Sequence, residues 1–264
     1  MNVPHFPESP INTNLRTAVT PSETAKQGWV EGQLNANERE ILTKAIVGAR
    51  VAPRTVLEVG TWLGGGSTLH ILRALEKNGK GHLWGIEADH SIYDRMLANL
   101  KAEAPEIINR FTPLFGFSQE VIPRWIAGQP ALQVDFVFLD GGNRPLEQMT
   151  EFQLLAPHIP VGGQLMAHDA RLRKGKWFVP YISRLDNWRT TIHDVSSEGL
   201  LHAEKIALEP SRASLKEAQA HLLKSRLQPS ELAAVILPRP LRAFVLKLLP
   251  QKLSVQLSDG RRSA

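Results

Sequence analysis

Residues 56–68 read VLEVGTWLGGGST, an apolar run that ends on an acid and opens into glycines at 60, 64, 65 and 66. Glycines in such a loop let backbone approach a ligand closely and allow φ > 0. The string nearly fits the phosphate loop G-x-x-x-x-G-K-[ST], but Gly66 stands where that pattern has the lysine that meets a β/γ-phosphate. Nor does it fit G-x-G-x-x-G, because Trp62 occupies the place of the second glycine, where a pyrophosphate would have to come close. The loop calls for another kind of ligand, or none.

The acids that follow narrow the choice. Glu58 lies in a mostly apolar run, where an unpaired buried carboxylate is costly, so it should bond loop amides or a ligand ammonium. Glu87, in WGIEAD, comes 27 residues after Gly60. An acid at that place can accept hydrogen bonds from both hydroxyls of a ribose. A ribose acceptor without a pyrophosphate fingerprint suits a nucleoside that lacks a diphosphate, and S-adenosylmethionine is the common one. Asp140 in VDFVFLDGG and the His168-Asp169 pair in LMAHDA close two further apolar runs. His168 has the pKa range of a general base, or is a histidine whose ring bonds a backbone carbonyl. Arg171, Arg173, Lys174 and Lys176 follow Asp169; the run is expected to be a solvated loop, with binding of an anionic substrate as its other use. Trp177 and Phe178 in the same stretch suit either a cover over an acceptor or packing on the sheet.

The elements that must carry these residues alternate in type. Asn37 with Glu40 reads as a capping box opening a helix over about 38–50, ended by Pro53. Strands are expected over 55–59, 82–86, 111–114, 134–139 and 163–167. Helices follow over 68–77 and 92–104, around Val121 to Ile126, and over 146–155. Residues 189–208 read as an antiparallel pair at the sheet edge, and 212–226 as a helix. This alternation predicts a doubly wound, mostly parallel Rossmann-like α/β sheet with helices on both faces and an antiparallel edge hairpin. In such sheets ligands bind beyond the carboxyl ends of the strands. Those ends are Glu58/Gly60, Glu87, Ser118/Gln119, Asp140 and Asp169, and a chain with 26 acids in 264 residues would rarely place carboxylates at four of them by chance.

Composition is that of an ordinary globular protein, 42% hydrophobic and 22% charged. Without cysteine there is neither a disulfide framework nor a thiolate metal site. The start, MNVPHFPESPINTN, does not read as a signal peptide, and no run reads as a membrane span, so the cytoplasm is the expected location. Of the net charge of +5, residues 211–264 hold ten Lys/Arg against three Asp/Glu, so the body is close to neutral and nucleic-acid binding is not expected.

In this order and spacing, VLEVGTWLGGGST, GIEAD, GFSQEVIPRW, VDFVFLDGG and GGQLMAHDA resemble the class I S-adenosylmethionine-dependent methyltransferases, particularly the catechol O-methyltransferase-like branch. The resemblance covers about residues 40–208. It implies that Glu58 and Gly60 border the methionine part of the cofactor, with Gly64 also at the cofactor, and that Glu87 binds its ribose. It further implies that Ala88, Phe117, Ser118 and Gln119 surround adenine, with Asp140 also at the cofactor. Asp140 and Asp169 match carboxylates that hold Mg²⁺ or another divalent cation in metal-dependent members, and the acceptor is expected to be a hydroxyl of a small molecule. His168 and Asp140 are the expected catalytic residues. Two departures matter: the asparagine ligand expected after Asp169 is Ala170, and the base expected three residues after Asp140 is Asn143, which cannot take a proton at neutral pH.

The expected layout is an irregular arm over 1–37, a methyltransferase domain over 38–209 and a basic helical extension over 210–264. Leu232 to Leu249 in that extension is apolar with interspersed basic residues, suited to packing on the body or on a second copy in a homo-oligomer, or to peripheral contact with an anionic membrane. The alternatives to an active O-methyltransferase are a non-catalytic homologue that keeps the cofactor pocket and a sugar or nucleotide enzyme on a similar sheet.

Overall fold

The computed structural model describes residues 32–129 and 131–227. The expected apolar segment of the tail and most of the N-terminal arm lie outside the described residues. The strands are β1 (Thr55–Val59), β2 (His82–Glu87), β3 (Phe111–Phe115), β4 (Phe136–Leu139), β5 (Gln164–Ala167), β6 (Trp188–His193) and β7 (Leu200–Lys205). They form one sheet in the order β3-β2-β1-β4-β5-β7-β6. The pairs among β1 to β5 are parallel, while β7 runs antiparallel to both β5 and β6. The helices are α1 (Ala36–Val47), α2 (Thr68–Lys77), α3 (His90–Glu103), α4 (Ser118–Ala127), α5 (Pro145–Leu155), α6 (Gly175–Ile182) and α7 (Arg212–Arg226). The doubly wound sheet with its antiparallel edge is thus the architecture expected from the alternation of elements.

Side-chain alternation explains why the central strands are apolar throughout. Leu57, Val59, Val137, Leu139, Leu165 and Ala167 join a core with residues of α4, α5 and α6, including Ile122, Phe152 and Phe178. Val56, Phe136, Phe138 and Met166 face the other way, into a core with Leu42, Ile46, Leu72, Met96 and Leu100 from α1, α2 and α3. Both faces are covered, as a parallel sheet requires.

Two local readings are corrected. The capping box of α1 is Asn35 with Glu38, not Asn37 with Glu40: the Glu38 amide donates to Asn35 Oδ1 (3.0 Å) and the Asn35 amide to Glu38 Oε2 (2.9 Å). Both pairs have the same spacing. The one used buries Glu38, at 1% exposure, whereas Glu40 stays exposed beside Lys44. α1 then ends at Val47, with Gly48 as its C-cap, before Pro53 is reached. The second correction is α6: the basic stretch after Asp169 is not an extended solvated loop but a tight turn into a helix that buries Phe178, Val179 and Ile182.

The topology fixes the site. Strand order reverses between β1 and β4, the crevice where open α/β sheets bind ligands. Ladder-type bonds continue past the strand ends: the Gly60 amide donates to Ile86 O, the Asp140 amide to Val59 O and the His168 amide to Leu139 O. These bonds hold Gly60, Glu87, Asp140 and His168 at one level above the sheet.

Candidate active site

At the switch point lies a pocket of about 270 Å³, at the lower edge of the range for small-molecule sites. Gly60, Glu87, Asp140 and Asn143 line it, as do Trp62, Gly66 and Ser67 from the glycine loop and Gln33 and Leu34 from the chain before α1. Gly60 has φ 87°, and a Cβ there would stand 2.6 Å from the Gly141 nitrogen, so glycine is required where the β1 and β4 exits touch. Trp62 also has positive φ (48°), an outlier for a bulky residue.

Glu87 is the most organised acid of the pocket. Its Oε1 accepts from the Ala88 and Asp89 amides (2.9 and 3.0 Å), and its Oε2 from the Trp62 amide (3.0 Å). Oε2, with one bond, keeps a lone pair for a further donor. Burial raises the Glu87 pKa, and the three amides oppose that rise.

Glu58 is fully buried beneath the glycine loop and accepts a short hydrogen bond from the Ser67 hydroxyl. Burial pushes its pKa up to about 8. It is not a wall of the pocket; it holds Ser67, which is. Gly64 likewise lies behind the wall: a Cβ there would touch Leu100 of α3 at 3.1 Å, and Gly66 takes the pocket position instead.

None of the four residues expected around adenine is among those that line the pocket: Ala88 follows Glu87 in the chain, and Phe117, Ser118 and Gln119 stand at the start of α4. Ala88 is exposed and Phe117 is 64% exposed. Ser118 is buried and donates to Glu151 Oε1 of α5 (2.5 Å), with Gln119 Nε2 3.4 Å from the same oxygen. Burial pushes the Glu151 pKa up to about 7. Neighbouring Gln148 is fully buried, with neither side-chain polar atom bonded among the described residues.

Past Asp140 lies a buried cluster of charges. His168 Nδ1 is 3.2 Å from Asp140 Oδ1 and 3.3 Å from Asp169 Oδ1, and its Nε2 is 3.3 Å from Glu38 Oε1. Glu38 Oε1 also accepts from the Ser196 hydroxyl (2.6 Å), which ties α1 to the β6–β7 turn. Burial disfavours the imidazolium, but the flanking carboxylates of Asp140, Asp169 and Glu38 outweigh it and push the His168 pKa up to about 9. Lys174 Nζ lies 2.9 Å from Asp140 Oδ1 and 2.8 Å from Asp169 Oδ2. Burial works against the Asp140 anion too, yet Lys174 and His168 hold its pKa below the usual carboxylate range.

Lys174, expected among four solvated cations, is buried in this cluster, and Glu38, which no sequence motif above singles out, completes it. A glycine directly after Lys174, allowing the chain to turn back, was the signal available for the first; the second Asn-x-x-Glu spacing was the signal for the other.

A glycine loop, Glu87 and Asp140 thus stand together at the strand-order reversal. Residues 57–170 match a family model described as a methyltransferase domain. Among solved structures, a candidate O-methyltransferase from Klebsiella pneumoniae is similar with a TM-score of 0.56 at 18% identity, over 66% of this chain and 82% of that one. The O-methyltransferase from Bacillus cereus in complex with S-adenosylhomocysteine is similar with a TM-score of 0.54 at 17% identity, over 66% and 82%. An S-adenosylhomocysteine-bound methyltransferase from Podospora anserina gives 0.52 at 11%, over 66% and 80%. No curated protein sequence matches the chain. The fold is therefore that of these methyltransferases. Among the described residues, no helix is long and apolar enough to cross a membrane.

Proposed function

We propose that this protein transfers a methyl group from S-adenosylmethionine to a hydroxyl oxygen of a small molecule. The observation that carries the reading is that Gly60, Glu87 and Asp140, from three different strand exits, converge on one pocket at the switch point. Glu87 would take the ribose hydroxyls through the free capacity of Oε2. Gly60 and Ser67, the latter held by Glu58, would border the methionine end, while Ala88, Phe117, Ser118 and Gln119 would take the adenine. The bound cofactor supplies an electrophilic methyl on a sulfonium.

The chain's own part is positioning and electrostatics. Asp140, kept anionic on the pocket wall, can accept the hydrogen bond of an acceptor hydroxyl and aim its oxygen. A general-base role for His168 does not fit its surroundings: both ring nitrogens face carboxylates, so at neutral pH it is already protonated. Asn143 lines the pocket without being able to take a proton. Among the described residues that line the pocket there is no histidine or lysine, only carboxylates as weak bases, so the suited acceptor is one whose hydroxyl is already acidic, as in phenols and enols.

Divalent-cation assistance, which the resemblance implied, does not fit the residues present, because the Lys174 ammonium already stands between Asp140 and Asp169. Asn143 and Ala170 also support a second reading, a cofactor-binding homologue without transferase activity. One experiment separates the two: assay of S-adenosylhomocysteine release over a panel of phenols, enols, sugars and amines. Turnover of hydroxyl acceptors supports the proposal, transfer confined to amines refutes the oxygen assignment, and cofactor binding without turnover of any acceptor favours the second reading.

A further inference from the structure

The ends of β4 and β5 present the one grouping, among the described residues, that could hold a metal ion: Asp140, His168 and Asp169 can place one ligand atom each within 4.8 Å of one another. The grouping is already satisfied within the protein. The Lys174 ammonium lies between the two carboxylates, 2.9 Å from Asp140 Oδ1, 2.8 Å from Asp169 Oδ2 and 3.4 Å from the Asp140 carbonyl oxygen. Its three protons thus meet three acceptors. The lysine side chain is 5% exposed, so it cannot swing out to water as a surface lysine does.

The remaining donors are also committed. His168 turns one ring nitrogen to Asp140 and Asp169 and the other to Glu38. Ala170, the next residue, has no side-chain donor and packs in the apolar core at 6% exposure. A Mg²⁺-like ion needs about six oxygen ligands in near-octahedral array, and the protein offers two aspartates already bridged by a cation.

The backbone is shaped to bring Lys174 there. Asp169 adopts φ 57°, turning the chain sharply at the end of β5. The Leu172 amide then donates to Asp169 O and the Gly175 amide to Leu172 O. A Cβ on Gly175 would stand 2.5 Å from Ala170 O, so the return of the chain over its own turn needs glycine beside the lysine. The lysine is therefore placed by a tight turn built from Asp169 to Gly175.

We infer that Lys174 is a built-in monovalent cation that closes the Asp140–Asp169 site to divalent metals and fixes the Asp140 carboxylate on the pocket wall. Methyl transfer, on the function proposed above, then runs without a metal. Lys174 acts through Asp140 and is a positioning residue.

The test uses Mn²⁺ on the full chain, followed by electron paramagnetic resonance. The wild type is expected to take up no Mn²⁺ at this site below about 1 mM, the weak limit for protein sites of this kind. Lys174→Ala is expected to gain a Mn²⁺ site at least about tenfold tighter, lost again in Lys174→Ala/Asp169→Asn. Micromolar uptake by the wild type that Asp169→Asn alone abolishes would overturn the inference. So would a Lys174→Ala variant that is folded by circular dichroism yet gains no site. Should Lys174→Ala not fold, the wild-type and Asp169→Asn titrations decide by themselves. S-adenosylhomocysteine titration of the same wild-type sample reads the methyltransferase proposal separately, because its failure leaves the Mn²⁺ result standing.

Discussion

Gly32 and Gly66 meet backbone to backbone at the mouth of the pocket: a Cβ on Gly32 would stand 2.1 Å from the Gly66 nitrogen. The third successive glycine of the loop therefore makes room for the chain that precedes α1, and that chain brings Gln33 and Leu34 into the pocket wall. The contact is unequal, since a Cβ on Gly66 would meet its nearest atom, the Gln33 nitrogen, at 3.1 Å. Gly32→Ala should displace the segment and weaken S-adenosylhomocysteine binding by about tenfold, whereas Gly66→Ala should cost about threefold or less. Calorimetric titration checks both, and equal losses would contradict the asymmetry.

Trp62 combines positive φ, 40% exposure and a place on the pocket wall. A left-handed conformation costs a non-glycine residue roughly 1–2 kcal/mol, and glycine's extra chain entropy roughly offsets the relief on replacement. Trp62→Gly should thus keep its Tm within about 4 °C of wild type while losing about tenfold in S-adenosylhomocysteine affinity. A large fall in Tm with unchanged binding would make Trp62 a structural residue instead.

Glu58 gives a pH signature. Its pKa rises on folding from 4.5 to about 8 because it is buried. The folded state therefore binds its proton more tightly, and the resulting stabilisation is complete below the unfolded value and is lost as pH rises from 4.5 to about 8. Glu58→Gln keeps the shape without the titration. The stability of the wild type relative to this variant, from urea unfolding, should fall over that window and level off above it; a flat difference would mean Glu58 is solvated or paired as an anion.

For His168, nitrogen NMR should find both ring nitrogens protonated at pH 7, with a midpoint near the value of about 9. Its contribution to stability is present below the ordinary value of 6.5 and is lost as pH rises through about 9. His168→Asn removes a cation from among Asp140, Asp169 and Glu38, and should cost about 3 kcal/mol or more near neutral pH. A midpoint near 6.5, tracked by the pH profile of activity, would restore the general-base reading.

Much of this arrangement is legible in the sequence because it depends on local pattern. Apolar runs and strand-end acids at 58, 87, 140 and 169 reveal the parallel sheet and its switch point, since period and burial dictate them. What is not legible depends on distance in the chain. Glu38 and His168 are 130 residues apart, and nothing near either announces the ion pair. Lys174 looks like its basic neighbours until the turn at Asp169 carries it inward, and the role of Gly66 becomes visible only once Gly32 lies against it.

On the function proposed above, Glu87 and the glycine loop hold a sulfonium nucleoside. Calorimetric titration of S-adenosylhomocysteine into the wild type and Glu87→Ala tests it most directly. One site on the wild type and at least about tenfold weaker binding to the variant are expected; no binding to the wild type, or undiminished binding to Glu87→Ala, would contradict the assignment.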